Sequence, residues 1–222
     1  MKQYKFLGWI TVFYVTMQLV CDVTAGKIVQ LFVFPVSVTV LYFPITFIFA
    51  DVLTEVYGYA VARKTLWTVM ACSITAGLIY QLVVFLPPAP GFVGNEAYTR
   101  VLGQVPRILL GAWIAVFAGE ILNDFVLAKM KIWTDGKPLW SRLVGSTVVG
   151  QFVNTILFYT IALGGILPTA LLIESILSGW LLKVVVEIVM IPATYVIVNK
   201  LKAIEQVDFF DRDTNFNPFS AH

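Results

Sequence analysis

Between Lys27 and Asp51 the chain runs for 23 residues, Ile28 to Ala50, without a single charged side chain. A helix needs about 20 apolar residues to cross a bilayer, and five other segments are also long and apolar enough. The pattern predicts an all-α integral membrane protein with six transmembrane helices at about 5–25, 36–57, 65–87, 104–128, 140–166 and 171–200. Composition agrees: 59% of the 222 residues are hydrophobic and 13% are charged, against about a quarter charged in soluble domains.

"PPAPG" in 88–103 reads as a loop and "TDGKP" at 134–138 as a turn. Residues 1–205 are read as the transmembrane domain and 206–222 as a polar tail, frayed or loosely docked. Lys2, Lys5, Arg63, Lys64, Lys129, Lys131, Lys137, Arg142, Lys200 and Lys202 fall on one side of this arrangement, and only Lys27 and Arg100 on the other. Basic residues stay in the cytoplasm, so both termini are expected there.

A net charge of +2 leaves no nucleic-acid footprint. The single histidine, His222, argues against a His-based metal site, and no metal or cofactor is expected. Cys21 and Cys72 sit in apolar runs as small hydrophobes. "QLVC" at 18–21 hints at a lipoprotein signal, but Val20 is bulky for that role, and the first helix is read as retained. Ser–His pairs, phosphate loops, H-E-x-x-H and CxxC are all missing from the sequence. Paired acids also fit an intramembrane aspartyl protease, a reading nothing else in the sequence favours.

The spans nevertheless carry Asp51, Glu55, Arg107, Glu120, Asp124, Lys183 and Glu187, with Asp22 and Glu174 near outer helix ends. A mid-span charge costs roughly 2.5–3.5 kcal/mol on insertion scales, so such groups pair or face a polar cavity. Lys183 and Glu187 are four apart and suited to a structural ion pair. "ADVLTE" at 50–55 echoes "GEILND" at 119–124, each with two acids four apart. Gln151, Asn154 and Thr155 add polar groups to the fifth span, where Gly145, Ser146 and Gly150 permit close helix approach. Pro44 and Pro192 fall inside predicted spans and are expected to kink them.

"FPITFIFADVLTEVYGYAVARK" (43–64), "GEILNDFVLAKMKIWTDGKPLWSRLVGSTVVGQFVNTILFYTIA" (119–162) and "LLKVVVEIVMIPATYVIV" (181–198) resemble the signatures of the queuosine precursor transporter family, also called the vitamin uptake-like family. The resemblance implies uptake of 7-cyano-7-deazaguanine and 7-aminomethyl-7-deazaguanine, and for some members queuine, across the bacterial inner membrane. Two positions depart from it: the family often carries Asn where this chain has Asp22, and Asp where it has Asn154.

A deazaguanine offers N1–H and 2-amino donors beside an O6 acceptor. On this reading Asp22, Asp51, Glu55, Glu120 and Glu187 supply acceptors and Gln151, Asn154 and Lys183 supply donors. Tyr42, Phe43, Phe47, Phe152 and Trp180 are stacking candidates. Without an ATP site the chain alone is a secondary carrier or uniporter. The alternative is the substrate-binding subunit of an ATP-driven vitamin importer. A small six-helix pathway is compatible with a homodimer.

Overall fold

The computed structural model describes residues 4–25, 27–31, 34–103, 106–165 and 168–220; Lys2, His222 and the side chain of Arg107 lie outside it. Helix α1 (Leu7–Thr24) leads to a two-stranded antiparallel hairpin, β1 (Ile28–Leu31) and β2 (Phe34–Ser37), paired from Ile28↔Ser37 to Leu31↔Phe34. A 3-10 turn (Val38–Leu41), helix α2 (Phe43–Val52) and a π-helical turn (Leu53–Tyr57) follow. Then come α3 (Tyr59–Phe85), short α4 (Asn95–Leu102), α5 (Pro106–Trp133), α6 (Leu139–Leu163) and α7 (Thr169–Glu205). Helices α1, α3, α5, α6 and α7 are long and apolar enough to span a membrane. The protein is a multi-pass, essentially helical membrane protein.

The second predicted span is therefore corrected. The uncharged run is divided, and its helical part begins only at Phe43. Its first half is rich in β-branched residues, and Pro35 sits within it; both suit a short hairpin better than a helix. Pro44 lies in the first turn of α2, where no intrahelical N–H partner is required, so it starts a helix instead of kinking one. Pro192 is interior to α7, as expected. Part of the 88–103 loop is the helix α4.

Gly58 ends the π-turn with φ +90°, and a β-carbon there would lie 2.3 Å from a ring carbon of Phe209. Backbone conformation and packing thus both demand glycine. Main-chain N–H groups of Lys5 and Phe6 donate to Glu205 at the end of α7 (3.1 and 2.7 Å), and Tyr57 donates its hydroxyl proton to the same carboxylate (3.0 Å). The beginnings of α1 and α3 and the end of α7 therefore share one end of the bundle.

The tail docks across that end. Asp211, buried, accepts from the Tyr59 N–H through both oxygens (3.1 and 3.0 Å), satisfying an orphan donor of the α3 N-terminus. Arg63 donates to the carbonyls of Asn215 and Asn217, both at 2.7 Å, and Trp67 donates to that of Pro218 at 2.9 Å. Lys129 lies over the Phe216 ring, 3.9 Å from its centroid. The expectation of a loose tail is corrected: α3 and α5 present donors and a cation that its carbonyls, Asp211 and aromatic rings satisfy.

Candidate functional site

Helices α5 and α6 cross closely because two glycines face each other. A β-carbon on Gly119 would meet Asn154 Cβ at 2.7 Å and the Gly150 carbonyl at 3.0 Å; one on Gly150 would meet Asn123 Cβ at 2.7 Å and the Gly119 carbonyl at 2.9 Å. This contact sets Glu120, Asn123 and Asp124 of α5 against Gln151 and Asn154 of α6. The two echoing motifs turn out to bond to each other. Asn123 Nδ2 donates to Asp51 (2.8 Å), and Thr54 donates to Asp124 (2.6 Å).

Asp51 and Glu187 approach each other, with Gln151 close to Glu187. Thr147 of α6 donates to Glu187. Lys183 donates to Asn154 Oδ1 (2.7 Å) and lies 5.3 Å from the centroid of the Phe43 ring. No Lys183–Glu187 ion pair exists among the described residues, a correction to the i,i+4 expectation: each has found a partner on α6. Gln151 Oε1, Glu187 Oε2 and Asn123 Oδ1 are buried without a hydrogen-bond partner.

The other expected site residues separate from this group. Glu55 Oε1 is taken by three cations: Arg142 at 2.7 Å, Lys202 at 2.6 Å and Lys131 at 3.5 Å. Lys131 also donates to the Glu55 carbonyl (2.6 Å) and pairs with Asp208 (2.5 Å). Partial burial by itself raises the Asp208 carboxyl, but hydrogen bonds and charge from Lys131 and Lys202 outweigh it and hold the group below its usual range. Glu55 therefore knots together the ends of α5 and α7, the start of α6 and the π-turn. Glu120 lies by Tyr14 of α1. Asp22 accepts from Gln18 (2.9 Å) and from Ser73 of α3.

Of the stacking candidates, Phe43 packs edge-on against Phe47, with ring centroids 5.2 Å apart. Tyr42 bonds Thr24. Trp180 donates to the Val148 carbonyl (3.0 Å) and packs edge-on against Phe152, itself 40% exposed, so this pair rivets α6 to α7 at the bundle's outer face. Glu174 is exposed near the start of α7. Sequence reading missed Asn123, Thr54, Thr147 and Tyr14. The motif echo contained Thr54 and Asn123, and that was the available signal.

A buried set of acids and amides, one lysine and an aromatic ring, held between membrane helices, is the kind of site that binds a small polar solute. Comparison with known proteins gives the family of the chain. The family model described as "Putative vitamin uptake transporter" matches residues 37–197, from the last residue of the hairpin through most of α7. The chain belongs to this family. It is similar to the "Probable queuosine precursor transporter" of Bacillus subtilis, 30% identical over 170 residues, covering 76% of this chain and 74% of that one. It is also similar to the "Queuosine precursor transporter" of Escherichia coli, 24% identical over 168 residues, with 72% and 70% covered. The "Probable queuosine precursor transporter" of Haemophilus influenzae is 27% identical over 125 residues, with 55% and 49% covered. No solved structure matches the chain.

Proposed function

We propose that this family member imports queuosine precursors, 7-deazaguanine bases, across the bacterial inner membrane as a carrier that works without an ATP-driven partner. The observation that carries the reading is the buried set of unpartnered acceptors on Gln151, Glu187 and Asn123 beside Asp51, with the Lys183 ammonium one helical turn from Glu187. A buried acceptor left unmade costs about 1–3 kcal/mol. The N1–H and 2-amino group of a deazaguanine satisfy such acceptors together, Lys183 serves O6, and Phe43 offers a ring face. A base lacking the 2-amino group leaves acceptors unmade and is rejected. Glu55, enclosed by cations, Trp180, on the outer face, Asp22, held by Gln18 and Ser73, and Glu120, beside Tyr14 of α1, stand outside this proposal.

The test is direct. The chain alone in liposomes is expected to take up labelled 7-cyano-7-deazaguanine; uptake only with an added ATPase complex rejects an autonomous carrier. Asp51→Asn is expected to weaken binding about ten- to hundredfold, the loss of one charge-assisted hydrogen bond, while its thermal unfolding stays near wild type. Unchanged affinity in folded protein removes Asp51 from the site.

The same reading includes six passages through the membrane, the 3-10 turn, α2 and the π-turn together making the second, and both termini in the cytoplasm. Lys5, Arg63, Lys131, Arg142 and Lys202 lie at the bundle end that holds Glu205 and Glu55, which supports it. A reporter active only outside the cytoplasm is expected to stay silent when fused at either terminus. Activity at one end rejects the orientation.

A further inference from the structure

Tyr14, Gln18 and Asp22 stand four residues apart on α1 and so form one stripe. At its outer end Asp22 holds Gln18 and Ser73. The Gln18 Oε1 is buried and has no hydrogen-bond partner, and the Tyr14 hydroxyl is buried within reach of Glu120. Facing Tyr14 is Glu120, 1% exposed, whose Oε2 is likewise unpartnered. One turn along α5 is Asp124, held by Thr54, and beyond it lie Tyr59 and Asp211 at the tail-covered end. Polar groups thus run from the outer part of α1 to the opposite end of the bundle, crossing from α1 to α5 at Tyr14 and Glu120.

Charge balance says what this route carries. The groups facing Glu120 are Tyr14 from α1, Asp51 from α2, Asp124 from its own helix and Glu187 from α7; α6 offers the neutral Gln151 and Asn154. Four acids, Asp51, Glu120, Asp124 and Glu187, are buried here. Among the described residues the one cation that joins them is Lys183, which donates to the neutral Asn154 and brings one positive charge against four carboxyl groups. Arg142, Lys131 and Lys202 are engaged at Glu55. A low-dielectric interior does not hold such a surplus of negative charge, so the acids must take up cations, of which the proton is the one that needs no coordination cage.

We propose that the stripe Asp22–Gln18–Tyr14 and the pair Glu120–Asp124 form a proton route, with Glu120 as the carrier, and that a proton enters with each imported base. The proposal rests on the import reading above. A proton taken from outside water through Asp22 resides on Glu120 as a carboxylic acid in the loaded state. It leaves through Asp124 to cytoplasmic water, returning Glu120 to the carboxylate.

The experiment uses the full chain in liposomes with labelled 7-cyano-7-deazaguanine and an internal pH dye. An inward gradient of one pH unit, with sodium equal on both sides, is expected to concentrate the base up to about tenfold at one proton per base, with matching internal acidification. Glu120→Gln, a fixed mimic of the protonated acid, is expected to lose accumulation and acidification yet still exchange labelled for unlabelled base. Tyr14→Phe is expected to slow proton-driven entry with exchange intact, and it tests the route independently if Glu120→Gln does not fold. The proposal is overturned if wild type moves base without protons, if a sodium gradient drives accumulation instead, or if Glu120→Gln still concentrates base on a pH gradient. Wild type that neither binds nor moves the base overturns the import reading instead.

Discussion

Glu55→Gln is expected to lower the unfolding temperature of the detergent-purified protein by roughly 6–20 °C. Glu55 is fully buried, and its Oε1 is the common acceptor for Arg142, Lys202 and Lys131. Removing one partner of a buried ion pair costs about 3–5 kcal/mol because it strands the remaining charges, and each kcal/mol shifts a chain of this size by about 2–4 °C. Arg142 is 1% exposed and cannot swing into water. Adding Arg142→Gln to Glu55→Gln is expected to recover part of the loss, since it deletes one stranded charge. A Glu55→Gln protein that melts with wild type would show that the three cations find other compensation, and Glu55 would return to the list of candidates for contact with the base.

Gly150→Leu is expected to abolish base binding and to reduce sharply the amount of folded protein. Even the single carbon of Gly150→Ala meets backbone, the Gly119 carbonyl at 2.9 Å, as well as Asn123 Cβ. Backbone cannot step aside as a flexible side chain does, so α5 and α6 must separate, at a cost of about 1–3 kcal/mol for overpacking. Separation also moves Asn123 away from Asp51. Gly145→Ala is the internal control: its new carbon meets only the Met130 side chain, 2.8 Å from sulfur and 2.9 Å from the terminal methyl, and methionine repacks easily. Equal losses at Gly145 and Gly150 would mean that the glycine crossing does not organise the site.

These cases also mark what the sequence could disclose. Hydropathy located α1, α3, α5, α6 and α7, with ends displaced by up to six residues, because a long apolar run has few alternatives in a bilayer. It misread 36–42, because the absence of charge says nothing about backbone conformation, and β-branching there was the better guide. The mid-span acids stood out one by one, but their partners did not. Glu55 and Asp51 are four apart on neighbouring turns, yet one meets Arg142 and the other Asn123. Partner choice depends on which helix lies opposite, and spacing along one helix is blind to that. The tail was misjudged for a related reason: polar residues read as solvated until the donors of Tyr59, Arg63 and Trp67 are known to face them.

That docking also has a consequence in time. The Tyr59 amide waits for Asp211, 152 residues later in the chain. At the 5–20 residues per second of synthesis, the interval is roughly 8–30 seconds. Throughout it the first turn of α3 is unclosed, Glu55 lacks Lys202, and Arg63 and Trp67 have nothing to grip. The newborn bundle therefore passes through a stage in which the end that the tail will cover is still open. A ribosome stalled before codon 208 would leave a protein with every long helix made and its closing segment missing.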